Sequence, residues 1–464
     1  MIVSRRKHTP SAGLKPSARA LAYSILLSVE TASAYASELL RSRLDPDLDE
    51  REAALTTELV MGTLRWQRLL DFFIERYSRR SVASLDPEVL IVLRLGIYQL
   101  RYLTRVPARA AVSESVELMR HARKHSATTL VNALLRRAAA EKDEPVTQFL
   151  PHEIDPIEAV AISQSQPTWL VRRWLRRFDE SQMISLLQSN NRAPEHSLAV
   201  LNPGHREDSL RSLDEAGIAY GPGHLLRDAL AVKRGRVDKT EAFRNGWISI
   251  QDEASQMIPM LLDAKPGDNV LDLCAAPGGK TIALAHQVGA QGRVVASDLH
   301  EARLRAMRQR PGSSESAKVL FVALDGTQPL PFAGLFQRIL VDASCSGTGT
   351  LGRNPEIRWR LTEENLTDLH RRQTALVTSA LTYLTPNGAL LYSTCSLEAE
   401  ENESVVREAL AATPGFRVEP VKVPKDRLAP HVRADDLIDE EGAFRIFPPM
   451  HHTDGFFAAL VRQR

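Results

Sequence analysis

The chain has 464 residues, too many for a single hydrophobic core, so we expect two or three domains. Its composition, 43% hydrophobic and 25% charged with a net charge of +2, is that of an ordinary globular protein. No apolar run approaches the roughly 18 residues of a membrane-spanning helix, and the opening residues lack the apolar region of a secretory signal. Three widely spaced cysteines without a CxxC motif argue against a disulfide framework and against zinc, so we expect a cytoplasmic protein without a bound metal.

Basic residues are clustered although the net charge is nearly balanced. The first nineteen residues contain no acid and carry Arg5, Arg6, Lys7, Lys15 and Arg19. The stretch WLVRRWLRRF again contains no acid and carries Arg172, Arg173, Arg176 and Arg177. Each patch taken singly fits a solvated surface, but several on one chain favour an anionic partner, of which RNA is the obvious candidate.

Residues 1–16 are predicted to form a basic flexible arm, and residues 17–145 a bundle of helices. In LIVLRLGIYQLRYL, apolar residues recur at three- and four-residue steps and give one apolar helix face: Leu90, Leu93, Ile97 and Leu100. Alternating strand patterns are almost absent from this part of the chain. The front domain is therefore predicted to be all-α.

This helical region resembles the NusB family of RNA-binding domains. The resemblance rests on LVMGTLRW (59–66), LRLGIYQLRYLTRVPARAAVSESVEL (93–118) and VNALLRR (131–137). It implies that the front domain contributes to RNA binding.

Proline, acidic and polar residues dominate the segment 146–165, which is predicted to be a linker. Residues 166–243 follow as a small mixed α/β module, which begins with a helix whose aromatic face turns inward and whose arginines face out. This module is either an RNA-binding element or a spacer packed against the next domain, and the sequence does not decide between the two.

Strands and helices alternate from residue 244 to residue 464. Short β-rich runs such as NVLDL, GRVVASDL, RILVDAS and GALLYST are in several cases followed by helical segments. This alternation predicts a Rossmann-like α/β domain with a mostly parallel, doubly wound sheet. Ligands of such sheets bind beyond the carboxyl ends of the strands, and Cys345 and Cys395 both fall at that edge.

The segment VLDLCAAPGGKT joins a strand to a helix and is predicted to bind a cofactor. Its small residues let the backbone approach a ligand closely, and the helix N-terminus offers free N–H donors. The segment is not a Walker A loop, because Cys274 occupies the position of that motif's first glycine, five places before Gly279. It does not contain the dinucleotide-binding motif GxGxxG either. S-adenosylmethionine is the cofactor class that remains.

Aspartates at strand ends extend the predicted cofactor site. Asp298 is placed to accept hydrogen bonds from ribose hydroxyls and Asp325 to contact the adenine amino group, although any one such aspartate can be a helix N-cap. Cys274 fits a packing residue of this loop better than a catalytic one. The residues predicted to bind the cofactor are Cys274, Ala275, Ala276, Pro277, Gly278, Gly279, Lys280, Asp298, Asp325 and Asp342.

Four motifs occur in an order typical of one enzyme family: DLCAAPGGKT, LVDASCSGTGTLGRNPEIRW, YSTCSLEAEEN and TDGFFAAL. With them, residues 160–464 resemble the RNA cytosine-5 methyltransferases. The NusB-like front half makes the whole chain similar to the bacterial members that act on 16S ribosomal RNA. The resemblance implies methyl transfer from S-adenosylmethionine to cytosine carbon 5 through a cysteine adduct at carbon 6.

The resemblance also implies the catalytic roles. It makes Cys395 of the Thr-Cys motif the nucleophile, Cys345 the thiol that assists product release, and Asp342 the acid against the cytosine ring; spacing alone does not choose between the thiols. A free thiol is only a few per cent thiolate near neutrality, so we expect the N-terminus of a following helix to activate Cys395, with four nearby glutamates turned outward. The family's Asp-Ala-Pro-Cys is here Asp-Ala-Ser-Cys, and we expect Ser344 to loosen this loop.

The predicted partner is 16S ribosomal RNA, naked or in an assembling small subunit, bound by a monomer. A cytidine inside a helix is unreachable, so the target must be unpaired or flipped out. The predicted RNA contacts are Arg172, Arg173, Arg176, Arg177, Arg353 and Arg358. Two alternatives stay open: the same chemistry on tRNA or 23S rRNA, and a non-catalytic RNA-binding or assembly factor.

Overall fold

The computed structural model describes four stretches of the chain: residues 17–32, 34–45, 48–309 and 318–464. The chain divides into two compact units, with the boundary between residues 168 and 169. The basic arm predicted at residues 1–16 lies outside the described residues. Among the helices that are described, none combines the length and the apolarity that crossing a membrane requires.

The first unit is built of helices, which confirms the all-α prediction for the front domain. Its described helices are α1 (Ala18–Ala32), α2 (Ala36–Arg43), α3 (Glu50–Arg65), α4 (Gln67–Ser78), α5 (Pro87–Tyr102), α6 (Ala108–His121), α7 (Thr128–Ala140) and α8 (Pro156–Ser163). Asp49 caps the start of α3, because its carboxylate accepts the backbone N–H of Arg51 at 2.9 Å. The apolar faces of these helices pack into one continuous core.

Helix α5 passes through the middle of this unit. Every residue from Val89 to Leu100 is buried, so the helix is enclosed on all sides and does not have the single apolar face that the sequence predicted. The buried guanidinium of Arg94 is compensated by Asp71 at 2.6 Å and Glu30 at 2.9 Å.

The predicted linker, residues 146–165, contains helix α8 and packs against the first unit. The guanidinium carbon of Arg76 lies 4.2 Å from the centroid of the Phe149 ring. Arg68 forms an ion pair with Glu158 of α8. The polar residues of this segment therefore form turns and ion pairs with the helical unit, and the segment is not a free linker.

The second unit begins with a small module that contains helices and an antiparallel sheet. Its elements are α9 (Thr168–Trp174), α10 (Glu180–Asn190), β1 (His196–Val200), α11 (Arg206–Glu215), β2 (Ala219–Pro222), β3 (Leu230–Arg234), α12 (Glu241–Arg244) and β4 (Ile248–Ile250). The strand order is β2-β3-β1-β4. The fourth strand lies beyond the boundary predicted at residue 243, because Leu198 of β1 pairs with Ile250. The mixed α/β character of the module is as predicted.

The rest of the second unit is a large sheet with helices. Its elements are α13 (Glu253–Leu262), β5 (Asn269–Asp272), α14 (Gly279–Val288), β6 (Arg293–Asp298), α15 (Glu301–Arg308), β7 (Lys318–Ala323), β8 (Phe336–Asp342), α16 (Ile357–Arg360), α17 (Glu363–Leu381), β9 (Leu384–Thr394), α18 (Glu403–Ala412), β10 (Phe416–Glu419), β11 (Phe444–Ile446), α19 (Pro448–His451) and β12 (Phe456–Gln463).

The strand order of this sheet is β10-β12-β9-β8-β5-β6-β7, and β11 pairs with β12. Strands β5 to β9 are parallel to one another, whereas β12 runs antiparallel to β9 and to β10. The sheet is therefore mostly parallel, and the Rossmann-like prediction is confirmed.

Each face of the large sheet carries its own apolar core. Successive side chains of a strand point to opposite faces, so Leu390 joins the core under α17 and α18 while Leu391 joins the core under α13 and α14. The parallel strands β5, β6, β8 and β9 end at Asp272, Asp298, Asp342 and Thr394. Polar residues thus collect at one edge, where a doubly wound sheet binds its ligands.

Candidate active site

The glycine loop joins the end of β5 to the start of α14. Gly278 has a φ of +101°, a conformation that L side chains rarely adopt, and a Cβ there would lie 2.6 Å from Met307. The Ala275 N–H donates to the Ser297 carbonyl at 2.8 Å. These contacts hold the loop tightly against the end of β6.

Asp298 ties this loop to the next helix. Its Oδ1 accepts the N–H of His300 at 2.9 Å, and its Oδ2 accepts the Ala276 N–H at 3.4 Å and Arg303 at 3.1 Å. Asp325, in contrast, is exposed and accepts the Thr327 hydroxyl at 2.7 Å, which lowers the pKa of its carboxyl. The ribose and adenine roles of these two aspartates stay predictions.

A buried carboxylate at the end of β5, Asp272, was missed in the sequence. It is 1% exposed, its Oδ2 accepts the Thr281 hydroxyl at 2.5 Å, and its Oδ1 has no partner among the described residues. The feature of the sequence that could have identified this residue is a charged side chain inside the apolar run NVLDL. Burial raises the pKa of Asp272 to about 7.

Three carboxylates surround the cofactor loop. Burial raises the pKa of the Cys274 thiol, and the nearby charges of Asp272, Asp342 and Asp298 raise it further. The same charges favour a cationic ligand such as a sulfonium, and the unpartnered Asp272 oxygen leaves a polar atom for it. The residues present therefore fit the predicted cofactor.

The raised pKa of Asp272 predicts a pH-dependent stability. The folded state holds this proton up to about pH 7 whereas the unfolded carboxyl releases it near 3.8, so the contribution is full at low pH and lost as pH rises through 7. Between pH 6 and pH 8 the wild type should lose about 1.4 kcal/mol more unfolding free energy than Asp272→Asn. Urea titrations of both proteins at the two pH values measure this difference, and equal losses would contradict it.

The carboxylate of Asp342 is fixed by hydrogen bonds to both of its oxygens. Lys280 donates to Oδ2 at 2.7 Å, and the Ser393 hydroxyl donates to Oδ1 at 2.8 Å. Asp342 and Ser393 are partners in the register of β8 and β9. Lys280, predicted as part of the cofactor loop, therefore points to the predicted catalytic acid, and its Nζ lies 5.2 Å from the centroid of the Phe456 ring.

The two cysteines of the predicted catalytic site are brought together. The sulfur atoms of Cys345 and Cys395 lie 3.3 Å apart, and both residues are half-buried. The hydrogen bond with Cys395 and burial raise the pKa of the Cys345 thiol well above its ordinary value. Either sulfur can be the donor in this contact, so the two thiols can share a proton.

Two glycines hold the backbone at Cys395 in place. The Gly349 N–H donates to the Cys395 carbonyl at 2.9 Å, and the Gly455 N–H donates to the Gly349 carbonyl at 2.8 Å. A Cβ on Gly349 would lie 2.5 Å from the Gly455 carbonyl oxygen and 2.8 Å from that of Cys395. Backbone segments from three of the four motifs therefore cross at this point, and a side chain larger than that of glycine does not fit at position 349.

We expect Gly349→Ala to displace this crossing, because the new methyl group meets backbone atoms that cannot rotate away. The free energy of unfolding should fall by about 1–3 kcal/mol, and kcat should fall as Cys395 shifts. Thermal melts and steady-state rates measure the two effects. Gly334→Ala is the matched control, since a Cβ at Gly334 has no neighbour within 4 Å; equal effects of the two changes would refute the prediction.

The glutamates after Cys395 do not all turn outward, which corrects the sequence prediction. Glu398 is 1% exposed, accepts the indole N–H of Trp174 at 3.0 Å and pairs with Arg173. Glu401 is fully buried. Both are held by hydrogen bonds because a carboxylate buried without partners is too costly, so they are internal supports of the Cys395 loop and not solvated first-turn residues.

Glu401 links the loops of the two cysteines. Its carboxylate accepts the N–H and hydroxyl of Ser346, the latter in a short contact, with the N–H at 2.8 Å. It also accepts the Ser396 hydroxyl at 2.5 Å and the side-chain amide of Gln373 at 3.0 Å. Ser346 and Ser396 directly follow Cys345 and Cys395, so one carboxylate holds both segments.

Four of the six arginines predicted as RNA contacts are bound within the protein. Arg173 pairs with Glu398 and Glu400, and Arg177 with Glu403 at 3.1 Å. These ion pairs replace the outward orientation predicted for Arg173 and Arg177. The two exposed arginines of this stretch, Arg172 and Arg176, stay predictions as RNA contacts.

The two arginines after Cys345 are also structural. Arg353 bridges Asp252 at 3.2 Å and Asp454 at 2.9 Å. Arg358 is 1% exposed and donates to the Asn190 carbonyl at 2.9 Å. Arg358 is therefore too buried to contact a phosphate in this structure, whereas Arg353, although paired with two carboxylates, stays a prediction as an RNA contact.

Ser344 does not leave its loop loose, contrary to the sequence prediction. Its carbonyl accepts the side-chain amide of Gln373 at 3.0 Å, and its backbone N–H faces the Cys274 thiol and acts to lower the pKa of that thiol. The N–H that a proline would lack is therefore used. Cys274 has a packing role that supports the loop of Asp342 and Cys345.

Family models match three successive parts of the chain. The model of the 16S rRNA methyltransferase RsmB/F family matches residues 259–462. The NusB family model matches residues 16–140, and the model of the RsmF/B-like ferredoxin-like domain matches residues 166–238. The predicted order of a NusB-like domain, a small α/β module and a methyltransferase domain is confirmed.

Two relatives match along almost their whole length. The chain is 31% identical over 458 residues to the probable ribosomal RNA small subunit methyltransferase B of Bacillus subtilis (strain 168), covering 97% of this chain and 99% of that protein. It is 34% identical over 441 residues to the ribosomal RNA small subunit methyltransferase B of Pseudomonas putida, covering 94% and 96%. The crystal structure of PH0851 superposes with a TM-score of 0.79 at 25% identity, covering 97% of this chain and 100% of that one.

Proposed function

The chain belongs to the family of ribosomal RNA small subunit methyltransferase B, and we propose that it methylates carbon 5 of a cytidine in 16S ribosomal RNA. The methyl donor in this proposal is S-adenosylmethionine. The observation that carries it is the pair of thiols at the carboxyl edge of the sheet, 3.3 Å apart and beside Asp342.

Cys395 is the proposed nucleophile. Carbon 5 of cytosine is a poor nucleophile, so a methyl group cannot simply be transferred to it. The Cys395 thiolate adds to carbon 6: its electron pair forms the S–C bond, and the pair of the 5,6 double bond makes carbon 5 nucleophilic. The choice of Cys395 over Cys345 follows the family resemblance, and the 3.3 Å contact places the second thiol where it can exchange a proton with the first.

Asp342 and Lys280 are proposed to act on the ring. Negative charge spreads from carbon 5 toward ring nitrogen 3, where a hydrogen-bond donor must meet it. The 2.7 Å contact of Lys280 with Asp342 brings a proton-bearing group to that edge of the base. Both carboxylate oxygens are occupied, so the orientation of the pair is set before the base arrives.

Release of the product is assigned to Cys345. After methylation, the proton on carbon 5 leaves to a base, its electron pair re-forms the double bond, and the Cys395 sulfur is expelled. Cys345 is the ionisable group in contact with that sulfur. It is therefore the residue placed to assist its departure.

The cofactor loop and Asp272 would hold S-adenosylmethionine, which supplies an electrophilic methyl group when bound. Gly278 lets the backbone approach the ligand, and the carboxylates of Asp272 and Asp298 supply hydrogen-bond acceptors and negative charge. The unpartnered oxygen of Asp272 favours a cationic or hydrogen-bond-donating ligand over a phosphate at that point of the site.

The RNA substrate is proposed from the family and from the NusB-like front domain. Because the same cysteines would serve tRNA or 23S rRNA equally well, the front domain is what favours small-subunit RNA. A non-catalytic assembly factor would not need the paired thiols or the fixed acid, so that alternative is disfavoured by the site.

Tritium transfer from labelled S-adenosylmethionine tests the proposal. The purified protein is offered naked 16S rRNA, small ribosomal subunits, tRNA and 23S rRNA, and the labelled nucleoside is identified by mass spectrometry. We expect 5-methylcytidine in 16S rRNA or in small subunits. Label only in tRNA or 23S rRNA would support the second substrate class, and no label in any RNA would support a non-catalytic factor.

A further inference from the structure

A cavity beside the Cys395 loop has no role in the reaction described above. Its volume is about 320 Å³, in the lower range of small-ligand sites. Ser396 and Leu397, the two residues after the nucleophile, form part of its wall, as does Phe456, whose ring Lys280 faces. The cavity therefore adjoins the active site without being the cofactor loop.

The walls of this cavity are aromatic and apolar. Phe178 and Phe447 lie with their ring centroids 5.1 Å apart, and Ile438 and Ile446 line the same space. At its mouth Met450 is 63% exposed, although large apolar side chains are mostly buried in the described part of the protein. Flat rings and an exposed thioether form a surface on which a planar ligand can stack.

One polar atom in the cavity wall lacks a partner. His451 Nδ1 lies 3.0 Å from the Phe447 nitrogen and 3.1 Å from the Phe447 oxygen, so a neutral ring can carry its hydrogen on either nitrogen. Burial lowers the pKa of His451, which favours the neutral ring. Its Nε2 is buried and has no hydrogen-bond partner among the described residues, so it is a polar atom left to pair.

The two arginines that line the cavity are paired with carboxylates. Arg445 donates to Glu403 and Asp439, each at 3.0 Å, and Arg177 donates to Glu403 at 3.1 Å. A phosphate would have to compete with these carboxylates for the guanidinium groups, and Asp436 adds a further carboxylate to the wall. A neutral planar ligand, in contrast, meets stacking surfaces and the unpartnered ring nitrogen of His451.

We propose that this cavity binds an unstacked nucleobase next to the target cytidine on the same RNA strand. The inference rests on the proposed function, since the base arrives with the methylated RNA. The base stacks on the Phe178 and Phe447 side, covers Met450, and forms a hydrogen bond with Nε2 of His451 through one of its ring or exocyclic polar atoms. Removing one neighbour from the stack also frees the target cytidine to turn toward Cys395.

Steady-state methylation of a short RNA hairpin that contains the target cytidine tests this site. Single abasic nucleotides are placed at each position flanking the target. For the wild type, one flanking abasic position should raise KM about tenfold, the effect of losing one base–aromatic stack. Met450→Ser and His451→Asn should raise KM on the intact hairpin about three- to tenfold with little change in kcat, and should make the abasic RNA no worse than the intact one.

The controls separate this inference from the proposed function. Leu335→Ser removes another exposed apolar side chain, 49% exposed, before the amino end of β8, and should retain the wild-type KM and the wild-type abasic penalty. Asparagine at 451 keeps an acceptor near the Phe447 N–H, and Met450→Ser changes a residue at the surface, so melting curves should stay near wild type. An abasic penalty that persists in both variants, or none in the wild type, would overturn the nucleobase site. Absence of methylation of any RNA by the wild type would instead refute the proposed function.

Discussion

Replacing Cys395 by Ala should abolish methyl transfer to RNA, with a loss of kcat of roughly 10⁴-fold or more. The sulfur is the atom that makes carbon 5 of the base nucleophilic, and the proposed role of Cys345, 3.3 Å away, is product release. Cys345 lies on the loop after β8, in the other motif, so it should not take the place of the missing nucleophile. Single-turnover tritium transfer at saturating RNA measures the loss.

Cys345→Ala is the matched variant, because it removes the other sulfur of the same pair. It should keep the first methyl transfer but lose turnover, and RNA should stay bound to the protein through a denaturing gel. Melting curves of both variants should resemble the wild type, since each change removes a half-buried sulfur. Full turnover by Cys395→Ala would show that the roles of the two cysteines are wrongly assigned.

Glu401→Ala should lower the free energy of unfolding by about 1–3 kcal/mol. The buried carboxylate accepts four donors from Ser346, Ser396 and Gln373, and its removal takes away the acceptor that these groups share inside the fold. Because the serines follow the two catalytic cysteines, kcat should fall together with stability. Urea unfolding gives the free energy, and the rate is measured well below the melting temperature.

Glu408→Ala is the control for this loss. Glu408 belongs to helix α18, is 60% exposed at its side chain and pairs with His370 at 2.7 Å. An exposed pair of this kind contributes about 1 kcal/mol or less, so the variant should unfold and turn over almost as the wild type does. A Glu401→Ala protein as stable and active as Glu408→Ala would mean that the bridge between the cysteine loops is unimportant.

Much of the fold and part of the site could be predicted from sequence, because local patterns report them directly. The apolar runs that end in Asp298 and Asp342 predicted strand ends at one edge of a sheet, and the structure has them there. The small residues around Gly278 predicted a tight loop before a helix, and its positive φ agrees. These features depend on neighbours a few positions away in the chain.

The supports of the site could not be predicted, because their partners lie far apart in sequence. Glu401 meets Ser346 across 55 positions, Arg353 meets Asp454 across 101, and Arg358 meets Asn190 across 168. A charged residue whose partner is unknown is expected to be exposed to solvent, so the sequence predicted RNA contacts for these arginines and an outward orientation for the glutamate. Asp272 was missed for a related reason, since it lies inside an apolar strand.

The central claim is that the Cys395 sulfur bonds to the pyrimidine ring during the reaction. A hairpin RNA with 5-fluorocytidine at the target position should trap that bond, because fluorine on carbon 5 cannot leave as a proton does. After digestion with trypsin and nuclease, mass spectrometry of the wild-type protein should find the methylated nucleotide on the peptide that contains Cys395. Attachment to the peptide that contains Cys345, or no attachment while ordinary RNA is methylated, would contradict the account.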